Sequence, residues 1–182
     1  MELRIVSTLL RCSSIVALCS AQAAAGQTTV SSDRSTPITT STAGDVTVSE
    51  DVSVDVEGDV PITIDSANLV TIEDDAEVFA DDADGRSGVA ISAGSNGSLV
   101  NDGAIYVLED FVPEDEDGNG SPDGPVASAA NRVGILGNST GGQIENNGTV
   151  YVEGLNSYGI KLADGWGGTS PRTFPSAARS RP

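Results

Sequence analysis

The chain repeats nearly the same seven residues, and this internal repeat limits its fold more than any other feature. The segment NDGAIYV begins at Asn101, and NNGTVYV begins at Asn146, 45 residues later. Self-similarity at a fixed spacing is the signature of architectures in which equivalent units pack on their neighbours. We therefore look for one structural unit that is used several times.

Glycines beside the apolar triplets give the length of this unit. Gly134 and Gly159 are 25 residues apart, whereas Gly103 and Gly134 are 31 apart and Gly148 and Gly159 are 11 apart. The second and third spacings differ by 20 residues, which indicates one insertion. The underlying period is therefore about 25 residues.

Short apolar segments recur three times in each period. They are bounded by Asn, Asp, Gly and Ser, which is typical of strands joined by turns, and they are too short for helices. Valines also alternate from Val46 to Val56, which predicts earlier strands. The recurring segments are 78–80, 105–107 and 150–152; 89–91, 135–136 and 160–162; and those marked by Ile72, Leu99 and Ile144.

This pattern predicts an all-β fold, a right-handed parallel β-helix (β-solenoid). Each rung, meaning one pass of the chain through three short strands, has about 25 residues, and one Asp-rich insertion of 20 residues falls at about 108–130. A β-sandwich also has short strands and turns, but its strands need not repeat in sequence.

Stacking of the rungs predicts which side chains become neighbours. Ile105 should lie over Val150, and Tyr106 over Tyr151, at a strand spacing of about 4.8 Å. We expect the aromatic ladder, which also includes Phe79, to be a packing feature more than a ligand platform.

The chain divides into four parts by composition. Residues 1–25 resemble a cleaved secretory signal, with two basic residues, a short apolar stretch and small-residue cleavage sites. Both cysteines, Cys12 and Cys19, lie in this leader, and lipidation at Cys19 is the minor alternative. We assign residues 26–45 to a polar linker, 46–165 to the repeats, and 166–182 to a basic, proline-rich tail.

Charge excludes one class of partner. Between residues 26 and 165 there are 26 Asp and Glu but four basic residues, and the whole chain has a formal net charge of −18. So acidic a surface repels phosphate backbones, which argues against nucleic-acid binding. Cations are the natural partners.

The insertion contains the candidate metal site, within PEDEDGNGSPDGP. Its oxygen donors have the spacing of a calcium loop, with Gly120 at the sharp turn. Val126 stands where a full EF-hand loop has a bidentate Glu, and the flanking segments are not helical, so the site predicted is a partial, low-affinity Ca²⁺ loop. An acidic loop without a bound ion is the alternative. The predicted ligands are Asp115, Asp117, Asn119, the Ser121 carbonyl and Asp123.

The segments DEDGNGSPDGP, NRVGIL and NNGTVYVEGLNSYGIKL resemble the passenger region of bacterial autotransporters, the type V secreted proteins, especially those of alphaproteobacteria. The resemblance covers residues 46–165. It implies an exported β-helical stalk at the outer surface, adhesive or protective, that binds host or cell-surface components or polysaccharide. It also implies a C-terminal β-barrel translocator, which this sequence does not contain. We therefore expect the protein at the cell surface if it is part of a full autotransporter, and otherwise in the periplasm or secreted.

The end of the sequence departs from the repeat. After residue 165 the chain has three arginines, three prolines and no acidic residue. Since prolines do not suit a central strand, we interpret the tail as the product of truncation or a frame shift.

A non-enzymatic surface protein is the function these features favour, and two alternatives remain. A β-helical polysaccharide-degrading enzyme would need a basic residue for lyase chemistry or a suitably spaced pair of carboxylates for hydrolysis, and no such set stands out. A calcium-stabilised secreted repeat protein would use a nonapeptide glycine-rich period, which differs from the period of about 25 residues.

Overall fold

The structure is a computed structural model that describes residues 26–81, 84–125, 127–138 and 141–163. The predicted leader, the tail from residue 166 and Val126 lie outside the described residues. No helix in the described part of the chain is long and apolar enough to cross a membrane.

The described residues form fourteen short strands and one short helix, arranged in five rungs. The first rung has β1 (Thr28–Val30) and β2 (Ile38–Thr39), followed by α1 (Thr40–Ala43), and the second has β3 (Val46–Val48), β4 (Ser53–Glu57) and β5 (Ile62–Ile64). The third has β6 (Leu69–Ile72), β7 (Glu77–Asp81) and β8 (Ser87–Ile91). The fourth has β9 (Ser98–Asn101), β10 (Ala104–Leu108) and β11 (Val133–Gly137), and the fifth has β12 (Ile144–Asn146), β13 (Thr149–Val152) and β14 (Tyr158–Leu162).

Equivalent strands of successive rungs pair in parallel and build three sheets. Sheet A has the order β1-β3-β6-β9-β12, sheet B has β4-β7-β10-β13, and sheet C has β2-β5-β8-β11-β14. In the second to fifth rungs the chain visits sheets A, B and C in turn, and the first rung has strands in sheets A and C. The fold is therefore all-β, with three parallel sheets of short strands, and it is compatible with a parallel β-helix.

Alternation of apolar and polar residues places the core between the sheets. In β4 the side chains of Val54 and Val56 are buried, while those of Asp55 and Glu57 are exposed. The same alternation recurs in β3, β5, β7 and β10, because successive side chains of a strand point to opposite faces. Apolar Val and Ile side chains from all three sheets thus form one core cluster.

Stacking of like residues is confirmed. Ile105 pairs with Val150, and Tyr106 pairs with Tyr151, in the parallel register of β10 and β13. The ring centroids of Phe79 and Tyr106 are 5.0 Å apart with an interplanar angle of 16°. Those of Tyr106 and Tyr151 are 6.5 Å apart, and the rings are tilted by 58°.

Residues 26–45 are not a linker, and this prediction was wrong. β1 pairs with β3 in sheet A, and β2 pairs with β5 in sheet C. The side chains of Val30 and Ile38 are buried in the core. Threonines surround these isolated apolar residues, and β-branched Thr fits a strand although it makes the segment read as polar.

The equivalence of Ile72 and Leu99 was also wrong. Leu99 pairs with Val70 and with Ile144, and Ile72 pairs with Asn101. The chain takes five residue steps from Ile72 to the start of β7 but three from Asn101 to the start of β10, so the turn is two residues shorter in the fourth rung. Ile72, Leu99 and Ile144 each lie four residues before a small residue, and this shared spacing misplaces Ile72 by two positions.

Candidate functional site

The insertion leaves the stack between β10 and β11, and one carboxylate closes its base. Glu109 follows β10 directly, and its Oε2 accepts hydrogen bonds from the backbone N–H groups of Ser128 (3.1 Å) and Ala129 (2.6 Å) and from the Ser128 hydroxyl (3.1 Å). The main-chain N–H of Glu109 donates to Glu153 of the next rung (3.2 Å). The two ends of the insertion are therefore held together at the stack.

A buried arginine reinforces the same corner. Arg132 has no exposed surface, and its Nη2 donates to the carbonyl oxygens of Leu108 and, at 3.2 Å, of Ala80. These carbonyls belong to strands of the third and fourth rungs. A guanidinium carries several donors in a fixed fork, so one side chain can tie the ends of two neighbouring strands together.

The predicted calcium loop folds into a compact turn at the exposed tip of the insertion. Asp115 Oδ1 accepts from the N–H groups of Gly118 (2.8 Å) and Asn119 (3.1 Å), and its Oδ2 accepts from that of Gly120 (2.8 Å). Gly118 and Gly120 have positive φ angles of 72° and 87°, which glycine adopts without steric penalty. These two glycines let the backbone wrap around the Asp115 carboxylate.

These hydrogen bonds favour the ionised form of Asp115. The pKa of its carboxyl group lies below the ordinary value, first because of the bond from Gly120. Desolvation raises it, but further bonds from Gly118, Asn119 and Asp117 also lower it. A metal ligand must be deprotonated, so this carboxylate is ready to bind a cation at neutral pH.

The structure brings together three of the five predicted ligands. Carboxylate oxygens of Asp115, Asp117 and Asp123 lie within 4.8 Å of one another, and all three residues are exposed. Two oxygens bound to one Ca²⁺ at about 2.3–2.6 Å are at most about 5 Å apart, so the three carboxylates fit a single ion. Their combined charge and oxygen-only donors suit a hard cation.

The other two predicted ligands lie in the same turn but are engaged differently. The side-chain amide of Asn119 donates to Asp117 Oδ2 (2.8 Å), and its Oδ1 accepts from the N–H of Ser121 (2.8 Å). Asn119 Oδ1 would therefore have to accept the hydrogen bond from Ser121 and bind the ion at the same time. Ser121 takes part in the turn through its N–H group, whereas the predicted ligand was its carbonyl.

A second polar cluster, which the sequence analysis missed, lies at the corner between sheets C and A. Asp65 accepts hydrogen bonds from the backbone N–H (2.8 Å) and hydroxyl (2.7 Å) of Ser41, and from the hydroxyl of Thr40 (3.2 Å), which is fully buried. Although desolvation raises it, the pKa of Asp65 is lowered overall by the bonds from Ser41 and Thr40. The 25-residue spacing of Thr40 and Asp65, one period, was the available signal.

No family model matches this chain, and neither curated proteins nor solved structures include a match to it.

Proposed function

We propose that the chain is a right-handed parallel β-helix that acts as a non-enzymatic stalk or adhesin-like surface of an exported, autotransporter-like protein. The observation that carries this proposal is the registered stacking of five rungs into three parallel sheets. Such a stack grows by adding rungs and offers long walls in place of one pocket. Crossovers between parallel strands are almost always right-handed, which supports the handedness.

Surface chemistry supports an exposed role in water. The outward side chains are mostly acidic or hydroxyl-bearing, and the formal net charge of −18 keeps such a surface soluble. The pKa values of Asp65 and Asp115 are both shifted down. A carboxylic general acid needs the opposite shift, so neither supports the enzyme alternative.

Export and display can be tested in a Gram-negative host. An epitope inserted after Pro122, in the exposed insertion, should react with antibody on intact cells when the complete gene product is expressed. The exported product should begin near residue 26. Ala23 belongs to both small-residue cleavage sites, Ala21-Gln22-Ala23 and Ala23-Ala24-Ala25, so Ala23→Glu should retain the leader. Cytoplasmic protein with residues 1–25 intact would refute the proposal. Release of reducing ends from polysaccharides by the purified chain would favour the enzyme.

We propose secondly that the insertion binds Ca²⁺ through Asp115, Asp117 and Asp123. The convergence of their carboxylate oxygens is the observation that favours it. Without a bidentate Glu, the dissociation constant should be on the order of 10⁻⁴ to 10⁻³ M. Where Ca²⁺ is bound, it would bridge the three carboxylates and stiffen the tip of the insertion.

Calorimetric titration of the purified chain with CaCl₂ tests the site. The double variant Asp117→Asn with Asp123→Asn preserves side-chain size but removes two charged ligands, and it should abolish binding. Glu114→Gln with Glu116→Gln removes the same charge from neighbouring positions and serves as the matched control. Equal weakening by both double variants would indicate general attraction to an acidic loop and would remove the site.

A further inference from the structure

The outward face of sheet B differs in chemistry from the faces of the other two sheets. Sheet A presents an uncharged column of Thr29, Thr47, Thr71 and Val100 along its first four rungs. In sheet B the corresponding central column is Asp55, Phe79, Tyr106 and Tyr151. Three of the chain's seven aromatic residues thus stand in one line. We call this column and its outward neighbours the aromatic face.

Carboxylates border the aromatic column on both sides. Glu77 precedes Phe79 by two residues, and Glu57 and Glu153 lie in the column on the other side. Glu153 Oε1 accepts a hydrogen bond from the Tyr151 hydroxyl (3.1 Å), which places its charge at the ring edge. Carboxylates therefore border the column in the second, third and fifth rungs, whereas Ala104 and Leu108 flank Tyr106 in the fourth.

The strands of this face carry carboxylates but no Lys or Arg. Two basic residues lie at sheet B: Arg34 bridges to Val54 and its guanidinium donates to the carbonyls of Thr36 and Pro37, and the buried Arg132 donates to the carbonyls of Ala80 and Leu108. The charged outward side chains of β4, β7, β10 and β13 are thus all acidic, and a positively charged partner is electrostatically complementary to them.

Ring geometry limits where a partner can stack. Phe79 and Tyr106 stack face to face, so neither a sugar ring nor a guanidinium group has room between them. The tilt of Tyr151 by 58° from Tyr106 opens a wedge, and Tyr151 is 40% exposed. A guanidinium group is planar, stacks on aromatic rings and pairs with carboxylates through its fork of donors, so it fits both features of this face.

We propose that the aromatic face binds an arginine-rich, extended segment of a partner protein. Ring centroids follow one another at 5.0 and 6.5 Å. Alternate side chains of an extended strand repeat at about 6.6–6.8 Å, so a segment with arginine at every second position could place one guanidinium in the wedge at Tyr151 and the next beside a bordering carboxylate. This inference rests on the proposed function, since it names the partner chemistry of the same exported surface.

Fluorescence anisotropy with a labelled peptide tests the proposal on the full chain. The probe is a peptide of alternating Arg and Ser with three arginines, compared with the same peptide containing Lys. The Arg peptide should bind about threefold to tenfold more tightly, because each stacked guanidinium adds to the charge attraction. Tyr106→Leu with Tyr151→Leu should lower its affinity about tenfold and remove the preference for Arg.

Matched variants separate this face from general attraction between opposite charges. Glu57→Gln with Glu77→Gln should weaken binding, whereas Glu114→Gln with Glu116→Gln, an equal charge change in the insertion, should leave the affinity within about twofold. Tyr151→Leu alone, in the last rung, is the second ring variant if the double variant does not fold by circular dichroism.

Several outcomes would overturn the proposal. These are no binding of the Arg peptide, equal affinities for the Arg and Lys peptides with no effect of the ring variants, and equal losses from both pairs of Glu substitutions. Binding of a neutral oligosaccharide that the ring variants abolish, with no binding of the Arg peptide, would identify a different occupant and would also overturn it. A negative result here leaves surface display untouched, because antibody labelling of cells measures display separately.

Discussion

Three stacked glycines in sheet C provide a sharp test of how tightly the rungs pack. Gly88, Gly134 and Gly159 occupy equivalent positions in β8, β11 and β14. A Cβ atom added at Gly134 would lie 2.2 Å from Cγ1 of Val150 and 2.6 Å from the carbonyl oxygen of Gly159. At Gly159, the nearest atom to an added Cβ is Cγ1 of Val150 at 3.9 Å. The same substitution therefore meets a filled site in one rung and an open site in the next.

The expected effects of alanine at the two positions have opposite signs. At Gly134 the side chain of Val150 could rotate away from an added methyl group. The carbonyl of Gly159 cannot, because it belongs to the β11–β14 ladder, so these two strands must move apart. Such overpacking costs about 1–3 kcal/mol. Gly159→Ala should leave stability unchanged or raise it by about 0.4–1 kcal/mol, because alanine restricts the unfolded chain without a clash. For a domain of about 150 residues, 1 kcal/mol corresponds to about 2–4 °C in Tm.

Thermal and urea unfolding of the two variants, followed by circular dichroism, measure this difference. Gly134→Ala should lower the Tm by roughly 2–12 °C, and Gly159→Ala should not lower it. Gly88→Ala should behave like Gly134→Ala, since its added Cβ would lie 2.4 Å from Cγ2 of Ile105. If Gly134→Ala is as stable as the parent, or if Gly159→Ala loses as much stability as Gly134→Ala, the reasoning from rung packing fails.

Three further predictions concern the core, the insertion and acid stability. Ile105→Ala, at a fully buried position, should cost about 2–5 kcal/mol in urea unfolding, whereas Val112→Ala, 77% exposed, should stay within about 0.5 kcal/mol; similar losses would contradict the assigned core. Replacing residues 111–126 with two glycines should change the unfolding free energy by less than about 1 kcal/mol, because Glu109 already closes the loop at Ser128, and unfolding of the stack would contradict this. The folded-state pKa of Asp65 lies below its ordinary value of 3.8, so ionised Asp65 stabilises the folded state above that pH, and this stabilisation is lost as pH falls through the lowered pKa. Asp65→Asn should therefore flatten the acid side of a plot of unfolding free energy against pH.

Much of the stack was predictable because inward-facing residues repeat in sequence. The triplets around Tyr106 and Tyr151 pair as expected, since alternation fixes which side chains face inward and a one-residue slip would expose them all. The position of the insertion was predictable for the same reason, because it interrupts an otherwise regular spacing. Local pattern and tertiary register agree at these positions.

Errors arose where a buried position holds a polar residue. Asn101 is fully buried and pairs with Ile72, and its side-chain amide donates to Oδ1 of Asn146 at 2.7 Å and to the Thr149 carbonyl at 3.4 Å. These bonds join the shorter turn of the fourth rung to the equivalent turn of the fifth, and hydrophobic periodicity cannot reveal them. Arg132 escaped notice similarly, since a single arginine reads as surface until its carbonyl partners from two distant strands are known.

Stability of the stack and calcium binding should be largely independent, which leads to a final prediction. Every hydrogen bond within the turn from residue 114 to residue 123 joins residues of that segment, such as the N–H of Asp117 to Asp123 Oδ2 (2.9 Å) and the N–H of Asp123 to the Glu114 carbonyl (2.9 Å). A turn with such local bonds can form while the rungs are unfolded.

A ligand that binds only the folded state stabilises it by about 2.7 kcal/mol at 100 times the dissociation constant, and binding to the unfolded state reduces this value. We therefore expect Ca²⁺ to raise the unfolding free energy by clearly less than about 2.7 kcal/mol at that saturation, and a synthetic peptide of residues 112–125 to bind Ca²⁺ within about threefold of the full chain. The Glu114→Gln peptide controls for simple charge. A full-sized stabilisation of the chain together with no binding by the peptide would show that the stack itself assembles the site, and the independence argued here would be wrong.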